Sequence, residues 1–256
     1  MKKLFVLSII AFTFYACSKS SNSVNSANPN SNSGFQGGAG GTGTGGSLAR
    51  FTIAQDHLYV VDQRVLTAYS LANAAHPTKT ASTTVGTDVE TIYAFEDKLF
   101  IGSQNAMYIY DIKNPGSPAL VGQASHVRAC DPVVADGQYA YVTVRGGSTC
   151  GGSLNALLVY NITNIQNPSQ VKQVNLNGPW GLGMRNDRLY VCDGSSGLAV
   201  YNISSPSNPI FIKTVTGETF YDVIVLDDML ICMVDGGYAI YTMNGDEITK
   251  AGMVPS

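Results

Sequence analysis

The sequence predicts an all-β fold, a five-bladed β-propeller of four-stranded antiparallel blades, on three observations. With 27 Gly and 14 Tyr in 256 residues, the composition suits short strands and tight turns, because aromatic and β-branched side chains fit a half-buried pleat. A tyrosine recurs after an apolar segment at Tyr69, Tyr110, Tyr160, Tyr201 and Tyr241, at spacings of 41, 50, 41 and 40. An acidic turn residue recurs just before an apolar strand at Asp56, Asp97, Asp136, Asp187 and Asp228, at spacings of 41, 39, 51 and 41. Two independent markers therefore count five copies. The last copy reads as strands over Val223–Leu226, Leu230–Met233, Tyr238–Tyr241 and Thr249–Met253, separated by turn residues. Four strands in ~40 residues is the period of a propeller blade, whose sheets pack face to face and whose ring hides most strand edges. Strands are named A to D from the axis outward. Two immunoglobulin-like sandwiches would use similar strands but would not need a 41-residue period.

The residues ahead of the repeats divide in two. Met1-Lys2-Lys3 is basic and precedes a 13-residue apolar run, Leu4 to Ala16, too short to span a bilayer as a mature helix. Residues 1–16 therefore read as a signal peptide. The run ends Phe14-Tyr15-Ala16-Cys17, which resembles a bacterial lipobox, so Cys17 is the expected acylation site, with Phe14 departing from the usual Leu. Several acyl chains at one site, at ~0.8 kcal/mol per buried methylene, would anchor the chain permanently. Positions 18–47 hold 8 Ser, 5 Asn and 8 Gly, with Lys19 the only charge. Such a stretch buries too little apolar surface to offset its ordering entropy. Residues 17–47 are thus an acylated cysteine and a disordered tether, with a root-mean-square reach of roughly 30 Å, and 48–256 is the propeller. A formal charge of −3 and no run of Lys or Arg argue against nucleic acid as a partner, since phosphate contacts supply most of that affinity.

The strand-B segments Leu58-Tyr59-Val60-Val61-Asp62 and Leu189-Tyr190-Val191-Cys192-Asp193 end in an acid. The strand-C segments run on into Tyr110-Asp111-Ile112-Lys113-Asn114-Pro115 and Tyr201-Asn202-Ile203-Ser204-Ser205-Pro206. Together these resemble the LVIVD-repeat family over residues 49–256. The resemblance implies a β-propeller in a bacterial, often lipid-anchored, exported protein, and it brings no agreed catalytic residues. It departs at Ala72-Asn73-Ala74-Ala75-His76-Pro77 in the first copy and at Asn244-Gly245-Asp246, without Pro, in the last. The expected place is the bacterial cell envelope, on the outer membrane, with its side left open.

Besides Cys17 the chain has Cys130, Cys150, Cys192 and Cys232. Cys130 lies in the loop entering strand A of blade three and Cys150 in the loop joining its strands B and C, and both loops open on one propeller face. A Cys130–Cys150 disulfide is expected, pinning the only insertion, Arg145 to Ser153. Closing a loop of about twenty residues is worth ~3 kcal/mol in the chain-entropy account. Cys192 and Cys232 fall on B strands of adjacent blades, whose sheets pack ~10 Å apart, beyond the ~7 Å a disulfide allows; they are expected as buried thiols.

His57, His76 and His126 are far apart in turn-like contexts, and no metal or cofactor motif is present. The remaining chemical signal is a ring on the face of the pinned loop, at the start of each strand A: Arg50, Glu90, Asp131, Trp180 and Asp222. A few convergent polar groups beside an aromatic can orient a ligand. Glu90, Asp131, Trp180 and Asp222, with Arg128 and Arg145, are therefore the candidate binding residues. The same acids would also serve to cap inner-strand backbone or to pair with Arg50, Arg128 and Arg145. The function expected is a non-enzymatic binding module for a protein or glycan. The alternative is a carbohydrate-active hydrolase or lyase using Glu90, Asp131 and Asp222, which needs carboxylates ~5–10 Å apart.

Overall fold

A computed structural model describes residues 46–126, 132–147 and 152–256. Among these residues twenty strands form five four-stranded antiparallel sheets, and there is no helix. Blade 1 is β1 (Phe51–Ala54), β2 (His57–Asp62), β3 (Val65–Ser70) and β4 (Thr78–Thr84). Blade 2 is β5 (Val89–Phe95), β6 (Lys98–Ser103), β7 (Ala106–Asp111) and β8 (Ala119–Ser125). Blade 3 is β9 (Val133–Ala135), β10 (Tyr139–Arg145), β11 (Asn155–Asn161) and β12 (Ser169–Asn175). Blade 4 is β13 (Leu182–Arg185), β14 (Arg188–Cys192), β15 (Leu198–Asn202) and β16 (Ile210–Val215). Blade 5 is β17 (Phe220–Val225), β18 (Met229–Val234), β19 (Gly237–Asn244) and β20 (Glu247–Pro255), its strand ends differing from the expected bounds by up to about three residues. The expected signal peptide, the expected acylation site Cys17, the expected tether to residue 45, and Arg128, Cys130, Asp131 and Cys150 lie outside the described residues.

The two sequence markers prove to be two ends of one local device. In every blade the pairing of strands C and D shifts register immediately before the repeat tyrosine, at Ala68/Tyr69, Ile109/Tyr110, Val159/Tyr160, Val200/Tyr201 and Ile240/Tyr241. The extra residue sits on strand D, where a bulge bends the strand and raises its twist. Two residues after the tyrosine, the N–H of Leu71, Ile112, Ile203 and Met243 donates to the carbonyl of Asp56, Asp97, Asp187 and Asp228, at 2.8–2.9 Å. In blade 3 the carbonyl of Gln138 receives that bond from Ile162 at 2.8 Å. There the Asp136 carboxylate instead accepts from the N–H groups of Gln138 and Tyr139, at 3.1 and 2.8 Å. The turn between β1 and β2 carries Gln55 and Asp56 at φ 49° and 55°, the left-handed pair that matches a twisted two-residue hairpin.

His57 departs from its expected turn setting. It opens β2, is half-buried, stacks 6.1 Å from the Tyr59 ring and places Nδ1 3.0 Å from the Gln55 carbonyl. His76 is exposed in the turn before β4, and His126 is half-buried just after β8.

Alternation along strand B divides each blade into two faces, one toward the preceding blade and one toward the next. Tyr59 and Val61 of blade 1 share a core with Ile92, Leu99 and Ile101 of blade 2. Phe100 meets Ala140 and Val142 of blade 3; Tyr141 meets Leu189 and Val191 of blade 4; Tyr190 and Cys192 meet Leu230 and Cys232 of blade 5. Cys192 and Cys232 are both buried and free in this last core, as thiols filling apolar space. Four cores thus join five blades in sequence. No equivalent core joins blade 5 to blade 1 among the described residues.

Candidate functional site at the propeller mouth

The start of each inner strand is shaped by a second bulge. The β5–β6 register shifts between Val89 and Thr91, and the β17–β18 register shifts between Phe220 and Asp222. Glu90 and Tyr221 are therefore the extra residues, turned out of the ladder at the mouth. Trp180 holds the matching place before β13: its N–H donates to the Cys192 carbonyl at 2.7 Å while Gly181 receives the return bond from Cys192 N–H at 2.9 Å. The mouth position is thus shared by Glu90, Trp180 and Tyr221, and Asp222 belongs to the next position, with the buried Thr91. Tyr221 was missed by sequence reasoning, although the signal was present: Trp180 and Tyr221 are 41 residues apart, one blade period.

These side chains meet. The Arg145 guanidinium, at the end of β10, lies 3.5 Å over the Trp180 ring centroid, a cation–π geometry. The edge of Trp180 meets Tyr221, with centroids 5.0 Å apart at 87°. Tyr221 Oη donates to Asp235 Oδ1 at 2.6 Å, and that bond holds its phenol pKa above the ordinary value. Glu90 is half-buried, and burial raises its carboxyl pKa against the opposing pull of a Gln104 hydrogen bond and the charges of Arg50 and Arg145. Burial lowers the Arg145 pKa, against the charge of Glu90. Arg50 is exposed ahead of β1.

The platform under Trp180 is hydrogen-bonded on two sides. The buried Thr143 donates through Oγ1 to the Trp180 carbonyl at 2.5 Å. The Asp193 carboxylate, 6% exposed, accepts from Asn177 N–H, Asn177 Nδ2 and Gly178 N–H at 3.0, 3.1 and 2.7 Å. An acid so satisfied by backbone donors orders the loop that delivers Trp180. In the sequence Asp193 reads as the end of a strand-B motif, and nothing local distinguishes its partners.

Asp222 is occupied by the chain itself. Ser47 Oγ donates to Asp222 Oδ1 at 3.2 Å, Leu48 N–H donates to Oδ2 at 3.2 Å, and Ser47 Oγ accepts from Leu182 N–H at 2.7 Å. Ile92 N–H donates to the Ala49 carbonyl at 2.9 Å. The lead into β1 thus fastens blades 2, 4 and 5 together, using inner-strand groups that lack a ladder partner. Burial pushes the Asp222 pKa up to about 6, and the bonds from Leu48, Val223 and Ser47 pull the other way.

Beside the lead, residues of all five inner strands line a channel cavity of about 180 Å³, among them Phe51, Tyr93, Val134, Leu182 and Val223. That is below the ~300–1,000 Å³ usual for a small-molecule pocket. Among the described residues no cluster of three or more His, Cys, Asp or Glu could hold a metal ion. None of the helices required for a membrane crossing is found there either, since no helix is long and apolar enough to span one.

The LVIVD repeat family matches residues 86–125 and 185–217, the first covering all of blade 2 and the second most of blade 4. No curated protein sequence matches the chain. Among solved structures, a protein from Lactobacillus plantarum aligns with TM-score 0.61 at 13% identity, over 78% of this chain and 68% of its own. A periplasmic gluconolactonase from Pseudomonas aeruginosa aligns with TM-score 0.59 at 15% identity, over 78% and 69%. A functionally unknown protein from Desulfotomaculum acetoxidans aligns with TM-score 0.62 at 12% identity, over 79% and 67%. At these identities the likeness is one of fold. The chain is a five-bladed β-propeller that carries LVIVD repeats.

Proposed function

We propose that the chain is a lipid-anchored protein of the bacterial envelope whose propeller mouth binds a protein or glycan without turning it over. The observation that carries this reading is the row Arg145–Trp180–Tyr221–Asp235, which gathers side chains of three blades at one mouth. Such a row offers cationic, aromatic and anionic groups on one surface, the mixture that marks binding hot spots. The adjoining channel cavity, about 180 Å³, is smaller than the usual small-molecule pocket, which favours surface recognition over an enclosed reaction. Cys17 is the proposed anchor, Glu90 and Asp222 flank the row, and Arg128, Asp131 and a Cys130–Cys150 disulfide are proposed to complete the rim from blade 3.

Trp180 is the only tryptophan of the chain, so its emission reports the site directly. Envelope glycans and extracted envelope proteins are titrated against the parent chain and against Trp180→Ala, Arg145→Ala and Asp187→Asn, the last on the opposite face, with capture measured as well as emission. Capture by the parent and by Asp187→Asn, with loss of ~2 kcal/mol or more in Trp180→Ala, supports the reading. Equal capture by Trp180→Ala moves the site elsewhere. The hydrolase reading is tested alongside with glycans and with a sugar lactone, the class named by the gluconolactonase; product formed in proportion to enzyme overturns a binding-only role.

A further inference from the structure

Each blade presents the same two faces, and eight of the ten are consumed in the four internal cores. The strand-B position facing the next blade is Tyr59, Phe100, Tyr141 and Tyr190 in blades 1 to 4, each at most 4% exposed. The position facing the preceding blade is Leu99, Ala140, Leu189 and Leu230 in blades 2 to 5, each fully buried. The two remaining members of these series are Ile231 on blade 5 and Leu58 on blade 1, and both stay only half-buried.

Their surroundings follow the same rule. Ile231 lies on one face of blade 5 with Ile224 and Ile240, beside Met233 and Tyr238, and Tyr238 is 47% exposed. Leu58 lies on one face of blade 1 with Ile53, beside Val60 and Phe51, and Phe51 is 61% exposed. Among the described residues the lead covers only the inner margin of the blade 5 face, where Leu48 and Ala49 border an open cleft of about 350 Å³ with Ile231 and Met233. Exposed contiguous apolar faces of this kind mark interaction sites.

We propose that the outer face of blade 5 docks on the outer face of blade 1 of a second copy of this chain, repeating between molecules the seam found four times within one. The argument for that occupant is continuity: a face built to receive a following blade is complementary to a face built to receive a preceding one. A blade face of four strands at ~4.8 Å and six residues at ~3.3 Å covers ~400 Å². One seam therefore buries ~800 Å² in total, the size of a weak and reversible contact. The contact is heterologous, so it propagates into rings or short chains rather than stopping at a symmetric pair.

The test uses the full chain in sedimentation equilibrium over a wide concentration range, in a detergent that keeps the apolar N-terminal run dispersed. The mass-average is expected to rise with concentration. Ile231→Lys and, separately, Tyr238→Lys should weaken association at least ~10-fold with circular dichroism unchanged. Two preparations, one carrying Leu58→Cys and the other Ile231→Cys, should cross-link through a short bismaleimide when mixed, while Lys113→Cys in place of Leu58→Cys should not. A single-chain mass at every concentration overturns the proposal, as does a mass distribution that neither lysine variant changes.

Discussion

The Tyr59 hydroxyl of blade 1 donates to the Pro115 carbonyl of blade 2 at 2.9 Å, and Tyr141 of blade 3 repeats the bond to Pro206 of blade 4 at 3.2 Å. The intervening seam does without it: blade 2 has Phe100 at the tyrosine position, and Ile165 of blade 3 packs against the same core. In blade 4 the Tyr190 hydroxyl meets Met243 Sδ at 3.2 Å. The strand-B tyrosine thus meets a backbone carbonyl of the next blade at two seams and a methionine sulfur at a third.

Tyr141→Phe should therefore leave the propeller folded and cost ~1 kcal/mol, the net worth of one hydrogen bond whose acceptor regains water. Urea unfolding followed by circular dichroism checks this. A loss above ~3 kcal/mol would mean that the Pro206 carbonyl is stranded without solvent.

Gly122 of β8 marks a closer approach. A Cβ placed there would lie 1.8 Å from the backbone carbonyl oxygen of Ile165, which no side-chain rotation relieves. Gly122→Ala should force blades 2 and 3 apart and destabilise by ~1–3 kcal/mol, read as a lowered denaturation midpoint with Trp180 emission as the probe.

Asp222 sets a pH dependence. Its folded pKa, about 6, stands above the ordinary 3.8, so between these values the folded state binds more protons than the unfolded state. Stability through this group is highest below its unfolded pKa and is lost as pH rises through about 6, where the half-buried carboxyl ionises. Asp222→Asn keeps one acceptor oxygen where Ser47 and Leu48 use two, a loss that is the same at every pH, and removes the ionisation. The difference in unfolding free energy, variant minus parent, should grow from pH 4 to pH 7; a constant difference would place the titration elsewhere.

Burial pushes the Cys232 thiol up to about 12 and raises Cys192 well above its ordinary value. The thiolate is the reactive form. Neither residue should be alkylated in the folded protein at pH 8, and both should be after unfolding, as read by intact-peptide mass spectrometry. A Cys192–Cys232 disulfide in unreduced peptides would contradict their free state.

The count of blades was legible in the sequence because each blade repeats the same device. The tyrosines at Tyr69, Tyr110, Tyr160, Tyr201 and Tyr241 follow a bulge, and the acidic turn residues of four blades close a hydrogen bond to the segment beyond it. Local chemistry that recurs at fixed spacing leaves a trace in one dimension. The mouth was half legible: Glu90, Arg145 and Trp180 were found by position. Tyr221 gives way to its neighbour Asp222 in the sequence reading, because a bulge moves the side-chain phase by one residue and only the 41-residue spacing from Trp180 records it.

What tertiary structure alone decided is how the ends of the repeat are spent. Ser47, the last residue of the stretch that reads as tether, and Leu48, the first residue beyond it, bond Asp222 at sequence separations of 175 and 174. Ile231 and Leu58 have the same apolar character as their buried equivalents and yet stay half-buried. Hydrophobic pattern tells a side chain which face of its strand to take, since period two is a local property. Whether another sheet arrives to cover that face depends on the packing of every blade between, which no window of sequence contains.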